Sequence, residues 1–193
     1  DSLNAIKASK HQLVHVITHP EKQAGRGKKL RANDVEQWAQ QNNVPLTAIQ
    51  DANCADGVEL LKKLAPDLLV VIAFGQKMSP EIISVPKKGA INVHGSLLPK
   101  YRGAAPINWA IINGEKKTGV TIITLAQTMD AGEMLAKAEM EISDDATADI
   151  VHDELARLAA PLLIKTIDKI EAGTAVYSKQ DNTAATKAPK LKK

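Results

Sequence analysis

Apolar and polar residues alternate along this chain with two different spacings. Spacing or composition typical of helices marks residues 2–10, 33–42, 56–65, 105–112 and 149–172. Short apolar runs typical of strands lie between or beside them, at residues 13–18, 45–49, 68–73, 91–93, 120–125 and 134–142. The pattern therefore predicts helices and strands in turn, which is the arrangement of an α/β domain.

Two stretches refine that prediction. Residues 68–73, Leu-Leu-Val-Val-Ile-Ala, form a short apolar run rich in β-branched residues, typical of a parallel strand buried on both faces. Residues 126–133 join the last two strands, and this link is shorter than the dozen or so residues that a crossover needs. We therefore predict a doubly wound, mostly parallel α/β sheet with a C-terminal antiparallel hairpin and a long final helix.

Composition adds bounds on size and setting. The 193 residues are enough for one domain with a substantial core, which must be largely aliphatic because only 3% of residues are aromatic. Cys54 is the single cysteine, and no apolar run approaches the roughly 18 residues of a membrane span. No secretion signal pattern is present, so we expect a cytoplasmic protein. The net charge of +3 permits a nucleic-acid partner without arguing for one.

Residues 91–103, I-N-V-H-G-S-L-L-P-K-Y-R-G, are the most informative motif. Side chains two apart in a strand share a face, so Asn92 and His94 point the same way at a strand end. An amide can donate a hydrogen bond to a carbonyl oxygen, and imidazole suits proton transfer near neutral pH. Ligands of doubly wound domains bind beyond the carboxyl ends of strands, so we expect an active site here.

This motif resembles the signature of the folate-dependent formyltransferases, an Asn-x-His strand end followed by a Ser-Leu-Leu-Pro loop. The resemblance covers nearly the whole chain and implies a Rossmann-like fold, 10-formyltetrahydrofolate as the co-substrate and no metal. It also implies a catalytic triad of Asn92, His94 and Asp130. The implied folate-binding residues are the loop residues Ser96, Leu97, Leu98 and Pro99, and a strand end formed by Ala73, Phe74 and Gly75.

Formyl transfer would give each residue of that triad a role. An amine attacks the formyl carbon, so negative charge develops on the formyl oxygen while a proton leaves the amine. Asn92 and protonated His94 could stabilise the oxygen, and Asp130 could orient the imidazole and help accept the amine proton. Without the resemblance, Asn92 and His94 are polar strand-end residues, and Asp130 is a turn former before Gly132.

A second motif, G-R-G-K-K-L at residues 25–30, is short, basic and rich in glycine. Arg26, Lys28 and Lys29 could contact a phosphate backbone, although charge alone favours an ordinary surface loop. A similar loop occurs in the family members that formylate methionyl-tRNA, although residues 22–23 and 31–35 depart from the usual pattern. The resemblance therefore implies initiator methionyl-tRNA as the acceptor. A UDP-amino-sugar acceptor, or a non-catalytic folate- or RNA-binding relic, is the alternative.

The end of the chain changes in composition. Residues 179–193 are rich in Lys, Thr and Ala with few apolar residues, which is typical of a linker. We expect residues 1–178 to be a monomeric catalytic domain without the family's opening strand, and residues 179–193 to lead toward a C-terminal tRNA-binding domain. His11, His15 and His19 alternate near the start, but no acidic or cysteine residue accompanies them, so we expect no metal site.

Overall fold

The computed structural model describes residues 1–20, 22–24, 29–31 and 33–191, with the backbone alone for residues 22–24 and 29–31. The helices are α1 (Ser2–Ala8), α2 (Asp34–Gln41), α3 (Ala55–Leu64), α4 (Pro80–Ser84), α5 (Pro106–Ile112) and α6 (Ala148–Glu171). The strands are β1 (Val16–Thr18), β2 (Lys22–Ala24), β3 (Lys29–Arg31), β4 (Leu46–Ala48), β5 (Leu69–Ile72), β6 (Ala90–His94), β7 (Lys117–Thr124) and β8 (Met134–Glu141). A 3₁₀ turn spans Asn182–Ala184.

The predicted α/β architecture is confirmed, with more antiparallel pairing than expected. β1 and β4 are parallel, as are β5 and β6, whereas β2 and β3 are antiparallel. β7 runs antiparallel to both of its neighbours, β6 and β8. Because β7 starts at the end of the sheet where β6 stops, residues 95–116, including α5, leave and re-enter the sheet at the carboxyl end of β6.

Side-chain caps fix where three of the helices begin. Asn33 caps α2, Ser79 caps α4 and Thr147 caps α6, each by accepting a hydrogen bond from a backbone N–H in the first turn. Such caps satisfy backbone donors that the helix itself leaves unpaired, and each contributes about 1 kcal/mol. Pro80 also suits the first position of α4, where no backbone N–H is needed.

The long helix α6 packs against the sheet and contacts β6 and β7. Leu163 packs with Ile91 of β6 and Ile122 of β7 in one buried cluster. Val151 packs in a second cluster that contains Val120 of β7. Burying each such side chain fully contributes about 1.5–3 kcal/mol. Asn92 and His94 therefore lie at the end of a strand that packs against a buried aliphatic core.

The expectation that β5 is buried on both faces is wrong. Val71 is its buried residue, while Ile72 keeps 38% of its surface exposed. In the described part of the chain β5 pairs only with β6, and a cavity of about 960 Å³ lies beside it, lined by residues of β1, β5, α1 and α6. The apolar residues of β5 line this cavity. Among the described residues, no helix has the length and apolar character to cross a membrane.

Candidate active site

Asn92 and His94 face Asp130 across the carboxyl end of β6. Asp130 lies in the turn between β7 and β8, and its Oδ1 accepts a hydrogen bond from Asn92 Nδ2 at 3.4 Å. His94 Nδ1 lies 3.7 Å from Asp130 Oδ2. The side chains of His94 and Asp130 are only 6% and 12% exposed. The structure thus brings the amide, the imidazole and the carboxylate together in one nearly buried cluster.

The backbone carbonyl of Tyr101 orients the His94 ring. His94 Nε2 lies 2.9 Å from this oxygen, which can only accept, so Nε2 carries a hydrogen. Nδ1 is then the ring nitrogen that carries no hydrogen in the neutral imidazole, and it faces Asp130. When Nδ1 is protonated, the imidazolium has a hydrogen-bond acceptor in reach on one side and a carboxylate on the other.

A side-chain network fixes Tyr101 itself. Its hydroxyl donates to Glu115 Oε1 at 2.7 Å and accepts from Asn113 Nδ2 at 3.1 Å, while Lys100 Nζ donates to the same carboxylate at 3.1 Å. Burial raises the pKa of Tyr101, so the hydroxyl remains a donor. The hydrogen bond from Tyr101, with further help from Lys100, lowers the pKa of Glu115. The Tyr101 carbonyl that holds His94 is therefore anchored through its side chain.

Backbone geometry places the Asp130 carboxylate. Asp130 has a φ of 53°, in the left-handed region, and its Oδ2 accepts a hydrogen bond from the Gly103 N–H at 2.9 Å. Two residues later, a Cβ built on Gly132 would lie 1.8 Å from the backbone oxygen of Thr124. Only glycine allows this close approach. The turn therefore presents the carboxylate in one defined position.

Thr121 of β7 holds the predicted folate loop in place through two hydrogen bonds. Thr121 Oγ1 donates to the Ser96 carbonyl at 2.7 Å and accepts from the Leu98 N–H at 3.1 Å. Ser96 and Leu98 have no exposed surface, whereas Leu97 and Pro99 are partly exposed. In this structure Ser96 and Leu98 shape the loop from inside. Of these four loop residues, Leu97 and Pro99 keep side-chain surface that a ligand could reach.

The second predicted folate element follows β5. Ala73 and Phe74 line the 960 Å³ cavity, whose lining does not include Gly75 or the triad. The Phe74 ring stacks on His19 with centroids 4.6 Å apart, and the Phe74 carbonyl accepts from His19 Nε2 at 2.6 Å. β5 and β6 pair in parallel, so their carboxyl ends lie side by side. The cavity runs along β5 and the triad lies at the carboxyl end of β6, so the two do not form one pocket.

The predicted RNA-binding residues are only partly described. Arg26 and Lys28 lie outside the described residues, and Lys29 is described by its backbone alone, as the first residue of β3. β2 and β3 pair antiparallel, so the basic segment joins two paired strands. RNA contact by these three residues remains a prediction.

Sequence reasoning missed the segment that follows α6. Although its composition is that of a linker, the Arg102 N–H donates to the Thr186 carbonyl at 2.8 Å, and the Ala188 N–H donates back to the Arg102 carbonyl at 2.7 Å. Ala188 is fully buried and Gln180 is 9% exposed. Composition gave no signal for this packing. It follows from the shape of the Tyr101–Gly103 turn, where a Cβ on Gly103 would lie 2.5 Å from the Ala188 oxygen.

One of the amino-terminal histidines, His11, does have acidic neighbours in space. His11 Nε2 lies 3.0 Å from Asp168 Oδ1, and Glu171 completes a cluster within 4.8 Å. Lys10 already supplies a cation, since its Nζ lies 2.6 Å from Glu171 and 3.4 Å from Asp168. These carboxylates came from α6, which sequence spacing could not connect with His11. The arrangement is an ion-pair network that joins the segment after α1 to α6.

An α/β sheet that clusters an amide, an imidazole and a carboxylate at a strand end is typical of an enzyme that moves protons and stabilises negative charge. Residues 1–167 match the family model described as formyl transferase, and the chain belongs to that family.

The relatives agree with this assignment. The chain is 46% identical over 192 residues to the methionyl-tRNA formyltransferase of Acetivibrio thermocellus, an alignment that covers 100% of this chain and 62% of that protein. The chain thus spans less than two thirds of that relative's length. The phosphoribosylglycinamide formyltransferase structure from Bacillus halodurans superposes with a TM-score of 0.73 at 21% identity, covering 88% of this chain and 89% of that one.

A structure solved with a nucleotide-linked amino-sugar has the same fold. The N-formyltransferase of Helicobacter canadensis, solved with folinic acid and dTDP-3-aminofucose, superposes with a TM-score of 0.72 at 21% identity. The alignment covers 97% of this chain and 65% of that one. At this identity the likeness shows the shared fold alone.

Proposed function

We propose that this protein transfers the formyl group of 10-formyltetrahydrofolate to the α-amine of methionyl-tRNA, for translation initiation. The main support for this proposal is the cluster of Asn92, His94 and Asp130. The cluster lies in a formyl transferase chain, all of which aligns with part of a methionyl-tRNA formyltransferase. Activity in the cytoplasm, as a monomer, belongs to the same proposal.

The cluster suits both charge changes of the reaction. The amine nitrogen forms a bond to the formyl carbon, and the bond between that carbon and N10 of the folate then breaks. Asn92 and His94, protonated on Nδ1, donate to the oxygen while it carries negative charge. Asp130, directly or through water, helps accept the proton that leaves the amine, and N10 takes up a proton as tetrahydrofolate departs.

Folate binding is proposed beside this cluster. Leu97 and Pro99 of the loop after β6, and Ala73, Phe74 and Gly75 after β5, lie at two adjacent strand ends. Ser96 and Leu98 support the loop from within. A planar ligand lying across these ends would place its formyl group near the polar cluster.

The acceptor is proposed from the basic loop. Arg26, Lys28 and Lys29 can neutralise phosphates of the tRNA acceptor arm, and the named relative acts on methionyl-tRNA. We also propose that residues 1–178 are the catalytic domain and that residues 179–193 lead to a tRNA-binding domain. The unpaired edge of β5 beside the cavity, among the described residues, is consistent with one further strand in this sheet.

A nucleotide-linked amino-sugar is the second candidate acceptor. The fold likeness to the Helicobacter canadensis enzyme favours it, since that enzyme was solved with a dTDP-amino-sugar. The transfer chemistry at Asn92, His94 and Asp130 would be the same. Only the surface that receives the acceptor would differ.

The deciding experiment offers both acceptors to the protein expressed from its complete reading frame. Formyl transfer from 10-formyltetrahydrofolate is measured with methionyl-tRNA and, in parallel, with UDP- and dTDP-amino-sugars. Transfer to tRNA alone is the expected result. Transfer to a sugar alone would overturn the acceptor, and folate binding without transfer to any acceptor would favour a binding relic.

A further inference from the structure

Gln180 uses its whole side-chain amide inside the protein. Its Nε2 donates to the carbonyl oxygens of Asp130 and Gly132, both at 2.8 Å. Its Oε1 accepts from Arg102 Nε at 3.0 Å and from Arg102 Nη2 at 2.7 Å. An amide has two hydrogens to donate and one oxygen that can accept twice, so the side chain is fully satisfied. Gln180 therefore joins the β7–β8 turn to the segment after the folate loop.

Both of these segments set the position of the Asp130 carboxylate. The turn holds the Asp130 backbone at a left-handed φ of 53°, a conformation that costs free energy and persists only where the surroundings enforce it. The other segment supplies the Gly103 N–H that binds Asp130 Oδ2 at 2.9 Å. Gln180 binds the turn at residues 130 and 132 and binds Arg102, the residue before Gly103. Its hydrogen bonds therefore hold both the backbone that carries the carboxylate and the donor that fixes its oxygen.

We propose that Gln180 is a positioning residue for formyl transfer, holding Asp130 at its working distance from His94. This inference rests on the proposed function, but Gln180 lies beyond the residues matched by the family model, which end at 167. Gln180 contacts neither of the other two triad residues in the described hydrogen bonds. Its effect reaches the chemistry through Asp130. Displacements of about 1 Å in such a site cost roughly 10²-fold in rate.

Two substitutions separate the donor from the acceptor side. Gln180→Glu keeps an oxygen for Arg102 but cannot donate to the two carbonyls when ionised, while Gln180→Met removes both functions at similar size. We expect kcat to fall by about 10- to 100-fold in both, with the KM for 10-formyltetrahydrofolate changed by less than about twofold. Folate-binding stoichiometry counts the folded sites, so kcat is expressed per intact site. Gln40→Glu, at an exposed position of α2, is the matched control and should keep wild-type kcat.

A double-mutant cycle tests the route through Asp130. In an Asp130→Ala background, Gln180→Glu should lower kcat by less than about twofold, because the carboxylate that it positions is already gone. A full further loss in that background would overturn the proposal. So would wild-type kcat per site in Gln180→Glu.

A readout without activity separates this proposal from the proposed function. Hydrogen exchange of the Gly103 amide should become at least about tenfold faster in Gln180→Glu, since the carboxylate that protects it is no longer held. Unchanged exchange at Gly103 would overturn the positioning role whether or not any acceptor is formylated. If exchange becomes faster in a protein that formylates neither acceptor, the proposed function is wrong but the positioning of Asp130 by Gln180 is supported.

Discussion

Three residues of the candidate site hold backbone conformations that side chains rarely adopt. Ala73, Tyr101 and Asp130 have φ values of 48°, 62° and 53°. Among the described residues, the other non-glycine residues with positive φ are Asn43 and Ala65, which follow the ends of helices, where such a residue is common. Each strained residue costs about 1–3 kcal/mol and persists only where neighbours enforce it. For Tyr101 and Asp130 the neighbours include hydrogen bonds around His94 and Asp130, so the strain of these two residues coincides with the proposed chemistry.

Replacing His94 removes the proposed proton carrier and oxyanion donor. His94→Ala should lower kcat by about 10²- to 10⁴-fold, the range for a positioned acid or base, and leave folate affinity within about twofold. Single-turnover transfer and folate titration measure the two quantities. His152→Ala, at a histidine on α6 that is 67% exposed, should behave as wild type. Near-normal turnover of His94→Ala would contradict the proposed role.

The Glu115 carboxylate predicts a pH dependence of stability. Hydrogen bonding from Tyr101 lowers the pKa of Glu115 below its usual value of 4.5, so the folded state binds this proton less tightly than the unfolded chain. The stabilisation is therefore present above about pH 4.5 and is lost as the pH falls through the lower, folded pKa. Glu115→Gln cannot titrate, so the free energy of unfolding lost by this variant should be constant from pH 6 to 8 and shrink below about pH 5.

Denaturant unfolding of both proteins at each pH measures this difference. Its size should stay at about 1 kcal/mol or less, since the carboxylate is 29% exposed and water screens it. A difference that is the same at pH 3.5 and pH 7 would show that Glu115 does not titrate differently in the folded state.

At the scale of elements, five of the six α-helices in the described part of the chain were predicted, and the short α4 was not. The longer helices were predicted best because each shows its apolar period within one segment. α2, α3 and α6 begin and end within one residue of their predicted bounds. Strand environment was harder to predict, because it depends on neighbours that the segment does not contain. β5 has the composition of a strand buried on both faces, yet Ile72 faces a cavity. The direction of β7 depends on the end of the sheet at which the chain re-enters it after residues 95–116, and local apolar spacing carries no information about that.

The β7–β8 turn yields a prediction about close packing. In Gly132→Ala the added Cβ would overlap the Thr124 backbone, so the turn must shift and the free energy of unfolding should fall by about 1–3 kcal/mol. Asp130 lies two residues away, so kcat should fall as well. Gly95→Ala is the control for stability, because its Cβ would meet side-chain carbons at ordinary distances of 3.6 Å and more. Urea unfolding that finds Gly132→Ala as stable as the control would refute the close approach.

At the scale of the whole molecule, the site combines parts that are distant in sequence. Asn92 and His94 come from one strand, and a local motif revealed them. Asp130 needed the family resemblance, because a lone Asp before Gly132 is a common turn. Gln180 could not be found from sequence, since it lies in a stretch with the composition of a linker and acts only through tertiary contacts. A local motif thus indicated two of the three proposed triad residues, and the packing of later segments explains how the three are held together.

The last prediction concerns the basic residues that are proposed to bind the tRNA acceptor. If Arg26, Lys28 and Lys29 neutralise tRNA phosphates, changing all three to Ala releases up to three fewer counterions on binding. The slope of log Kd for methionyl-tRNA against log salt should then decrease by up to about 2–3, with weaker binding at low salt. Folate affinity should not change, because these residues lie outside the proposed folate elements.

A charge-matched control separates local contact from overall attraction. Changing the exposed Lys63, Lys137 and Lys165 to Ala removes the same net charge from other parts of the surface. Because exposed charges beyond a Debye length of about 8 Å are largely screened at physiological salt, this control should leave most of the slope intact. Equal changes in the two triple variants would assign tRNA attraction to the net charge of the molecule. An unchanged slope in the loop variant would show that the basic loop is an ordinary surface loop.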